Sequence, residues 1–177
     1  MKHNKLEGRT IHFRLIEESD ASFLYQLRMD ETLNKYISKV DSSIEMQKEW
    51  IRNYKEREKE HIEYYFIIER NDTNEKIGTI RLYGITDDNR FCWGSWILNS
   101  RKTVTSAIES AYLIYEFAFE RCNFISSYFQ VDRLNSTVNS FHVKTGAIKV
   151  DEDVVNVNYI FTKECFLEFK NKFRIVI

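Results

Sequence analysis

The residues from Asn135 to Ala147, read N-S-T-V-N-S-F-H-V-K-T-G-A, come closest to a chemistry in this 177-residue chain. They follow a β-type run, Ser127–Val131, and have the apolar spacing of a helix over 136–144 that stops at Gly146. Asn135 stands where a helix N-cap belongs, with a side-chain oxygen suited to the first-turn amides. His142 lies on the same helix and is the residue type whose proton is exchangeable near neutral pH, so it can act as an acid. A lone histidine on a helix is more often a packing or surface residue, and residue type alone leaves both roles open. His3, His12, His61 and His142 are isolated from one another, and Cys92, Cys122 and Cys165 show no C-x-x-C spacing. The chain also lacks H-E-x-x-H, a Walker loop and G-x-S-x-G, so no metal site, P-loop or serine-hydrolase chemistry is expected.

The elements that would position these residues can be read from periodicity. Ile11–Ile16 reads as a first strand, followed by a helix capped at Ser19-Asp20 and running through Phe23, Leu24, Leu27 and Arg28. Ser42 with Glu45 forms a capping box for a second helix with the stripe Ile44, Trp50, Ile51 and Tyr54. Its tail, residues 55–60, reads as a solvated face with i,i+4 pairs. Residues 64–69 and 77–83 flank the turn-rich Asn71–Asn74 and suggest an antiparallel hairpin. Residues 91–98 form another strand, and 105–121 a strong helix with Ile108, Ala111, Tyr112, Tyr115 and Phe119 on one stripe. Strand 127–131, helix 136–144, strands near 147–150 and 156–162, and a short helix near 164–170 complete the chain. The order β-α-α-β-β-β-α-β-α-β-β is an α+β mixture around a mostly antiparallel sheet.

Composition bounds the class. The length suits one domain, 1–177, and aromatics at 15% suit a densely packed interior. The formal charge of −1 gives no electrostatic case for nucleic acid or an anionic membrane. Three separated cysteines and an N-terminus without an apolar leader point to a reduced, cytoplasmic protein. No apolar run approaches the roughly 20 residues of a membrane span.

The 135–147 segment resembles the last conserved segment of the GNAT acetyltransferases, N-x-x-[SA]-x-x-x-Y-x-K-x-G-F. Asn135, Lys144 and Gly146 fall on that pattern, and His142 stands where the family has tyrosine. The order of elements is also similar to the GNAT fold over nearly the whole chain. Trp93-Gly94-Ser95-Trp96 resembles a strand of the Rim-type branch, which acetylates protein N-termini and includes relatives acting on amino sugars. Gly8–Leu15, Asp20-Ala21 and Leu27–Asp30 look Rim-like too.

The resemblance implies that the fourth and fifth strands are parallel neighbours that splay apart around acetyl-CoA. Ile97 and Leu98 would pair with pantetheine. The phosphates would rest on the start of the next helix. The matching loop, Asn99–Ser106, has Arg101 in the first position of the family's [QR]-x-x-G-x-[GA], but Val104 and Ser106 in its glycine positions. The amides of Val104, Thr105 and Ser106, the charges of Arg101 and Lys102, and the hydroxyls of Thr103, Thr105 and Ser106 are the expected phosphate ligands. Asn135 would bond the pantetheine arm or simply cap its helix, and the two roles can coexist.

Acetyl transfer to an amine needs a neutral amine, a polarised thioester carbonyl and a proton for the leaving thiolate. The register implies His142, as an imidazolium, for that last role, with Tyr112 and Tyr128 as other hydroxyls. Trp93, Trp96 and Arg28 are the expected substrate-pocket residues. Cys92 occupies the place of an acidic base in Rim-type enzymes and is a poor base; Asp30, Glu31 and Asp132 are replacements the sequence does not rank. The expected activity is N-acetylation of a small-molecule amine, with a nucleotide-linked amino sugar favoured. A protein N-terminus is the alternative acceptor, and a GNAT-shaped protein without turnover is the alternative class. A monomer or homodimer is expected.

Overall fold

The computed structural model describes residues 6–33, 35–36 and 43–177. Eight strands form one sheet: β1 (Leu6–Glu7), β2 (Ile11–Leu15), β3 (Tyr64–Arg70), β4 (Lys76–Tyr83), β5 (Arg90–Leu98), β6 (Ser126–Asp132), β7 (Ile148–Glu152) and β8 (Asn156–Thr162). Their spatial order is β1-β2-β3-β4-β5-β6-β8-β7, and every pair is antiparallel except β5 with β6. The helices are α1 (Ala21–Met29), α2 (Ile44–Lys59), α3 (Ser106–Glu116), α4 (Ser136–Lys144) and α5 (Lys163–Phe173). The expected order holds, with one short added strand, β1, so the expected fourth and fifth strands are β5 and β6.

Alternation along β3 shows why the sheet is covered on both faces. Tyr64, Phe66 and Ile68 belong to the cluster with Leu113 and Ile114 of α3 and Phe166 and Phe169 of α5. Tyr65 and Ile67 belong to the cluster with Leu24 of α1 and Ile51 and Tyr54 of α2. Ser43 caps α2 by accepting from the Met46 amide at 3.2 Å; Ser42, the expected cap, lies outside the described residues. The tail of α2 is partly solvated, with Glu56, Lys59 and Glu60 exposed, and its pairs differ from the expected i,i+4 spacing. Arg57 reaches the buried Glu63 at 2.5 Å, and Lys55 and Lys59 pair at i,i+3 with Glu58 and Glu56. Helix α3 passes into a π-helical turn at Phe117–Arg121, where the sequence suggests one continuous helix.

Two features of β5 prepare the site. Thr79 pairs with Ile97 but Arg81 with Gly94, so β5 carries one extra residue, a bulge, in that interval. Ser95 sits in it with φ +48°, a conformation uncommon outside glycine. On the other edge, β5 pairs with β6 only through Arg90–Ser126 and Phe91–Ser127. Beyond that point the two strands separate.

Asp20, wholly buried, anchors the start of α1 to the sheet. It accepts two bonds from Arg14 at 2.7 and 2.8 Å, one from the Glu17 amide at 2.9 Å, and lies 2.6 Å from Lys76. Burial by itself would raise its pKa, but the bonds from Arg14, Lys76 and the Glu17 amide outweigh that and hold it at about 2, below the ordinary 3.8. A depressed carboxylate stabilises the fold above its unfolded pKa, and that contribution disappears as pH falls through the folded value. Denaturant midpoints should therefore drop between about pH 4 and pH 2, and Asp20→Asn should flatten that dependence. By removing one partner of a buried charge network, Asp20→Asn should also cost about 3 kcal/mol at pH 7. An unchanged midpoint would remove the anchoring role.

Candidate active site

The gap between β5 and β6 is lined by rings. Trp93 of β5 packs 6.0 Å from Phe129 of β6, and His142 of α4 sits 4.4 Å from Phe129 and 5.3 Å from Trp93. Trp96 lies 5.1 Å from Phe141 of α4. A cleft of about 730 Å³ follows the gap. Trp93, Trp96, Cys92, Ser95, Asp132, Asn135 and His142 line it. Among the described residues the buried indole nitrogens of Trp93 and Trp96 have no hydrogen-bond partner, although a buried N–H of this kind ordinarily has one.

Local chemistry fixes α4 at both ends. Asn135 Oδ1 accepts from the Val138 amide at 3.2 Å, and Asn139 Nδ2 donates to the Asp132 and Asn135 carbonyls at 2.9 Å. At the C-terminus Gly146, at φ +100°, sends its amide to Val143 O, while the Ala147 amide reaches His142 O, a Schellman end that requires a left-handed residue. His142 is thereby set facing the sheet, only 4% exposed. Burial pushes its imidazole down to about 4. The imidazolium expected from the sequence is corrected: among rings and without a counter-charge, His142 is neutral at pH 7.

The loop before α3 is ordered from behind by a wholly buried carboxylate, Glu109. It accepts from the Thr10 amide at 2.7 Å and from the hydroxyls of Thr10 and Thr105, each at 2.5 Å. Thr10 spends its only hydroxyl proton on Glu109, so at 2.7 Å Thr103 must donate to Thr10. Ser106 must then donate to Thr103 at 2.8 Å, while accepting from the Thr103 amide. The hydroxyls of Thr103, Thr105 and Ser106 are thus committed inward, which corrects their expected role as phosphate donors. The Ser106 amide turns back to Thr103 O at 3.3 Å, whereas the Val104 and Thr105 amides bond to nothing among the described residues. No residue from Asn99 to Ser106 has positive φ, so valine and serine fit without glycine's conformational freedom, and Val104 stands fully in solvent. Arg101 is turned aside to Glu75 at 2.9 Å, against the expected phosphate role, and Lys102 is exposed.

This donor set fits acetyl-CoA. Among the described residues, the edge of β5 beyond Phe91 has no strand partner on the β6 side, two loop amides are uncommitted at the positive end of α3, and the cleft joins neutral rings to few charges. Ile97 and Leu98 pair with Thr79 and Gly78 on the β4 side and lie on that edge rather than lining the cleft.

A second cavity of about 340 Å³ opens between α1, α2 and β4, lined by Arg28, Trp50, Tyr65 and Arg81, with Tyr83 and Ser95 shared with the cleft. Arg28 is therefore beside, not among, the tryptophans with which it was grouped. Of the carboxylates the sequence could not rank, Asp132 alone lines the cleft; Asp30 is exposed and turned to Thr32, and Glu31 is exposed. Tyr128 lines the cleft and donates to Gly84 O at 2.8 Å, while Tyr112 points to Glu116. Tyr83, Arg81, Ser95 and Glu109 are not singled out by the sequence. For Glu109 a signal exists, since its carboxylate lies four residues, one helical turn, after the hydroxyl of Thr105. Among the described residues no His, Cys, Asp or Glu cluster could hold a metal ion, and no helix is long and apolar enough to cross a membrane.

A family model described as acetyltransferase (GNAT) domain matches residues 10–148. The solved apo structure of FdhC, described as a nucleotide-linked sugar GNAT, is 48% identical over 98% of each chain, with a TM-score of 0.91. Spermidine N-acetyltransferase from Vibrio cholerae, solved with CoA and spermine, is 15% identical over 89% of this chain and 98% of its own, with a TM-score of 0.77. Ribosomal-protein-S5-alanine acetyltransferase from Vibrio fischeri is 15% identical over 91% and 97%, with a TM-score of 0.74. At 15% identity the likeness shows the fold alone. No curated protein matches the chain. The splayed parallel strands, the bulge in β5 and the family match lead to one conclusion: the chain belongs to the GNAT acetyltransferase family and is an N-acetyltransferase.

Proposed function

We propose that this protein, as one cytoplasmic domain, moves the acetyl group of acetyl-CoA to the primary amine of a nucleotide-linked amino sugar. The observation that carries the reading is the 48% identity, over essentially the whole chain, to a protein described as a nucleotide-linked sugar GNAT. Acetyl-CoA, when bound, supplies the acetyl group as a thioester. The chain's own part is to hold the phosphates on the Val104 and Thr105 amides beside Lys102, and to offer the free edge of β5 from Cys92 to Leu98 to the pantetheine. Asn135 spends Oδ1 on the α4 cap and keeps its amide nitrogen for the same arm. Trp93 and Trp96 present buried indole N–H groups to the cleft and exclude water from it.

Within the family, the Trp93–Trp96 strand supports the Rim-type branch, whose protein N-terminal acceptors form the second reading. A polycationic acceptor suits the cleft poorly, because Asp132 is the one carboxylate among its described lining residues.

Calorimetry with acetyl-CoA should give micromolar binding, and thiol release should require a nucleotide-linked amino sugar. Binding without turnover on any amine would favour a protein that has lost catalysis, and turnover on a ribosomal-protein N-terminal peptide alone would favour the second reading.

His142 serves in this reading as a neutral wall that spaces Trp93 from Phe129. His142→Phe should lower kcat by less than about tenfold and leave acetyl-CoA affinity within about twofold, against the 10²–10⁴-fold expected of a lost general acid. Titrated by NMR, its ring should stay neutral down to about pH 4. A 10²-fold loss in kcat together with a ring pKa near 6.5 would restore the acid role.

A further inference from the structure

We propose that the smaller cavity, between α1, α2 and β4, is the site for the diphosphate and base of the acceptor's nucleotide. This inference rests on the nucleotide-linked reading above and assigns a place to the part of the substrate that does not react.

Charge divides the two cavities. Among the described residues, the 730 Å³ cleft is lined by no arginine or lysine and by one carboxylate, Asp132. The 340 Å³ cavity is lined, among the described residues, by two arginines, Arg28 and Arg81, and by no carboxylate. Behind it, Glu63 is shared: Arg57 reaches it at 2.5 Å and Arg81 bonds it as well, so this trio keeps a net positive charge beside Arg28. A dianionic diphosphate placed in the larger cleft would face Asp132 without a cation. In the smaller cavity it meets planar guanidinium donors suited to phosphate oxygens.

Rings complete the recognition. Trp50, half-buried, stacks parallel on Tyr54 at 5.7 Å, and the Arg81 and Arg57 guanidiniums lie 5.4 and 5.7 Å from its ring. Arg81 also lies 5.0 Å from the Tyr83 ring. Guanidiniums stacked over an indole form, with the Tyr83 ring, a surface of planar groups against which a nucleobase can stack. The cavity volume falls in the ordinary range of small-molecule sites.

Position joins the two halves of the substrate. Tyr83 and Ser95 line both cavities, and Ser95 is the bulge residue of β5. A sugar tethered to a diphosphate at Arg28 and Arg81 can therefore cross at Ser95 into the cleft with its amine toward β5.

The test uses UDP and dTDP as probes, titrated calorimetrically into the full chain saturated with CoA, so that the acetyl-CoA phosphate loop is already filled. Wild type should bind at least one of them, and Arg28→Ala and Arg81→Lys should each weaken that binding about tenfold or more, the loss of one charge-assisted bond. CoA affinity should stay within about twofold. Arg28→Gln, which keeps the stem as far as Cδ and a polar end, separates lost recognition from misfolding if Arg28→Ala is unstable. Binding by wild type that the variants leave intact would overturn this site while the nucleotide-linked reading stands. Failure of wild type to bind either probe would also overturn the site, and turnover of the nucleotide-linked amino sugar then decides the functional reading separately.

Discussion

Beyond Phe91 and Ser127, β5 and β6 stop sharing hydrogen bonds, and nearly everything the molecule can do depends on that failure of pairing. Two neighbouring parallel strands with free backbone groups would ordinarily close a ladder, since unpaired buried amides cost on the order of 1–3 kcal/mol each. Trp93, Phe129 and His142 pack against one another where the strands part, with α4 fixed by Asn135 at one end and Gly146 at the other. The bulge at Ser95 adds a second departure from regular pairing on the opposite edge of β5. The same strand thus offers backbone to a ligand on one side and turns a strained residue toward a second cavity on the other.

The phosphate loop shows how a family's glycines can be replaced. Glycine is required where φ is positive or where a ligand approaches the backbone closely. Here the loop has no positive φ, and its shape is imposed from inside by hydroxyls converging on Glu109. Side-chain bonding substitutes for backbone permissiveness, and the outward-facing amides are left for an anion. The arrangement also explains why three hydroxyls that look like ligands in the sequence are not: each has a single proton, and each proton is already committed.

Much of the fold was legible in the sequence because it rests on periodicity. The stripe through Ile108, Ala111, Tyr112 and Tyr115, the turn at Asn71–Asn74 and the Asn135 cap with Gly146 each state a local preference that the tertiary structure keeps. Strand β1 is too short to leave a period, and the π turn that ends α3 has no mark in its apolar spacing. The site was legible as a set of positions, not as chemistry. His142 could be placed on the helix facing the cleft, but its neutral state comes from Trp93, Phe129 and Tyr159, which lie on three different strands. Arg101 looked available because Glu75, its partner, is 26 residues away. The Arg28, Trp50 and Arg81 cavity is assembled from α1, α2 and β4 and has no sequence signature.

The claim that the free edge of β5 receives the cofactor is tested most directly by amide hydrogen exchange with and without CoA. Binding as described should slow exchange within Cys92–Leu98 and at Val104 and Thr105, and leave β2 and β3 unchanged. Protection confined to other segments, with β5 exchanging equally in both states, would contradict it.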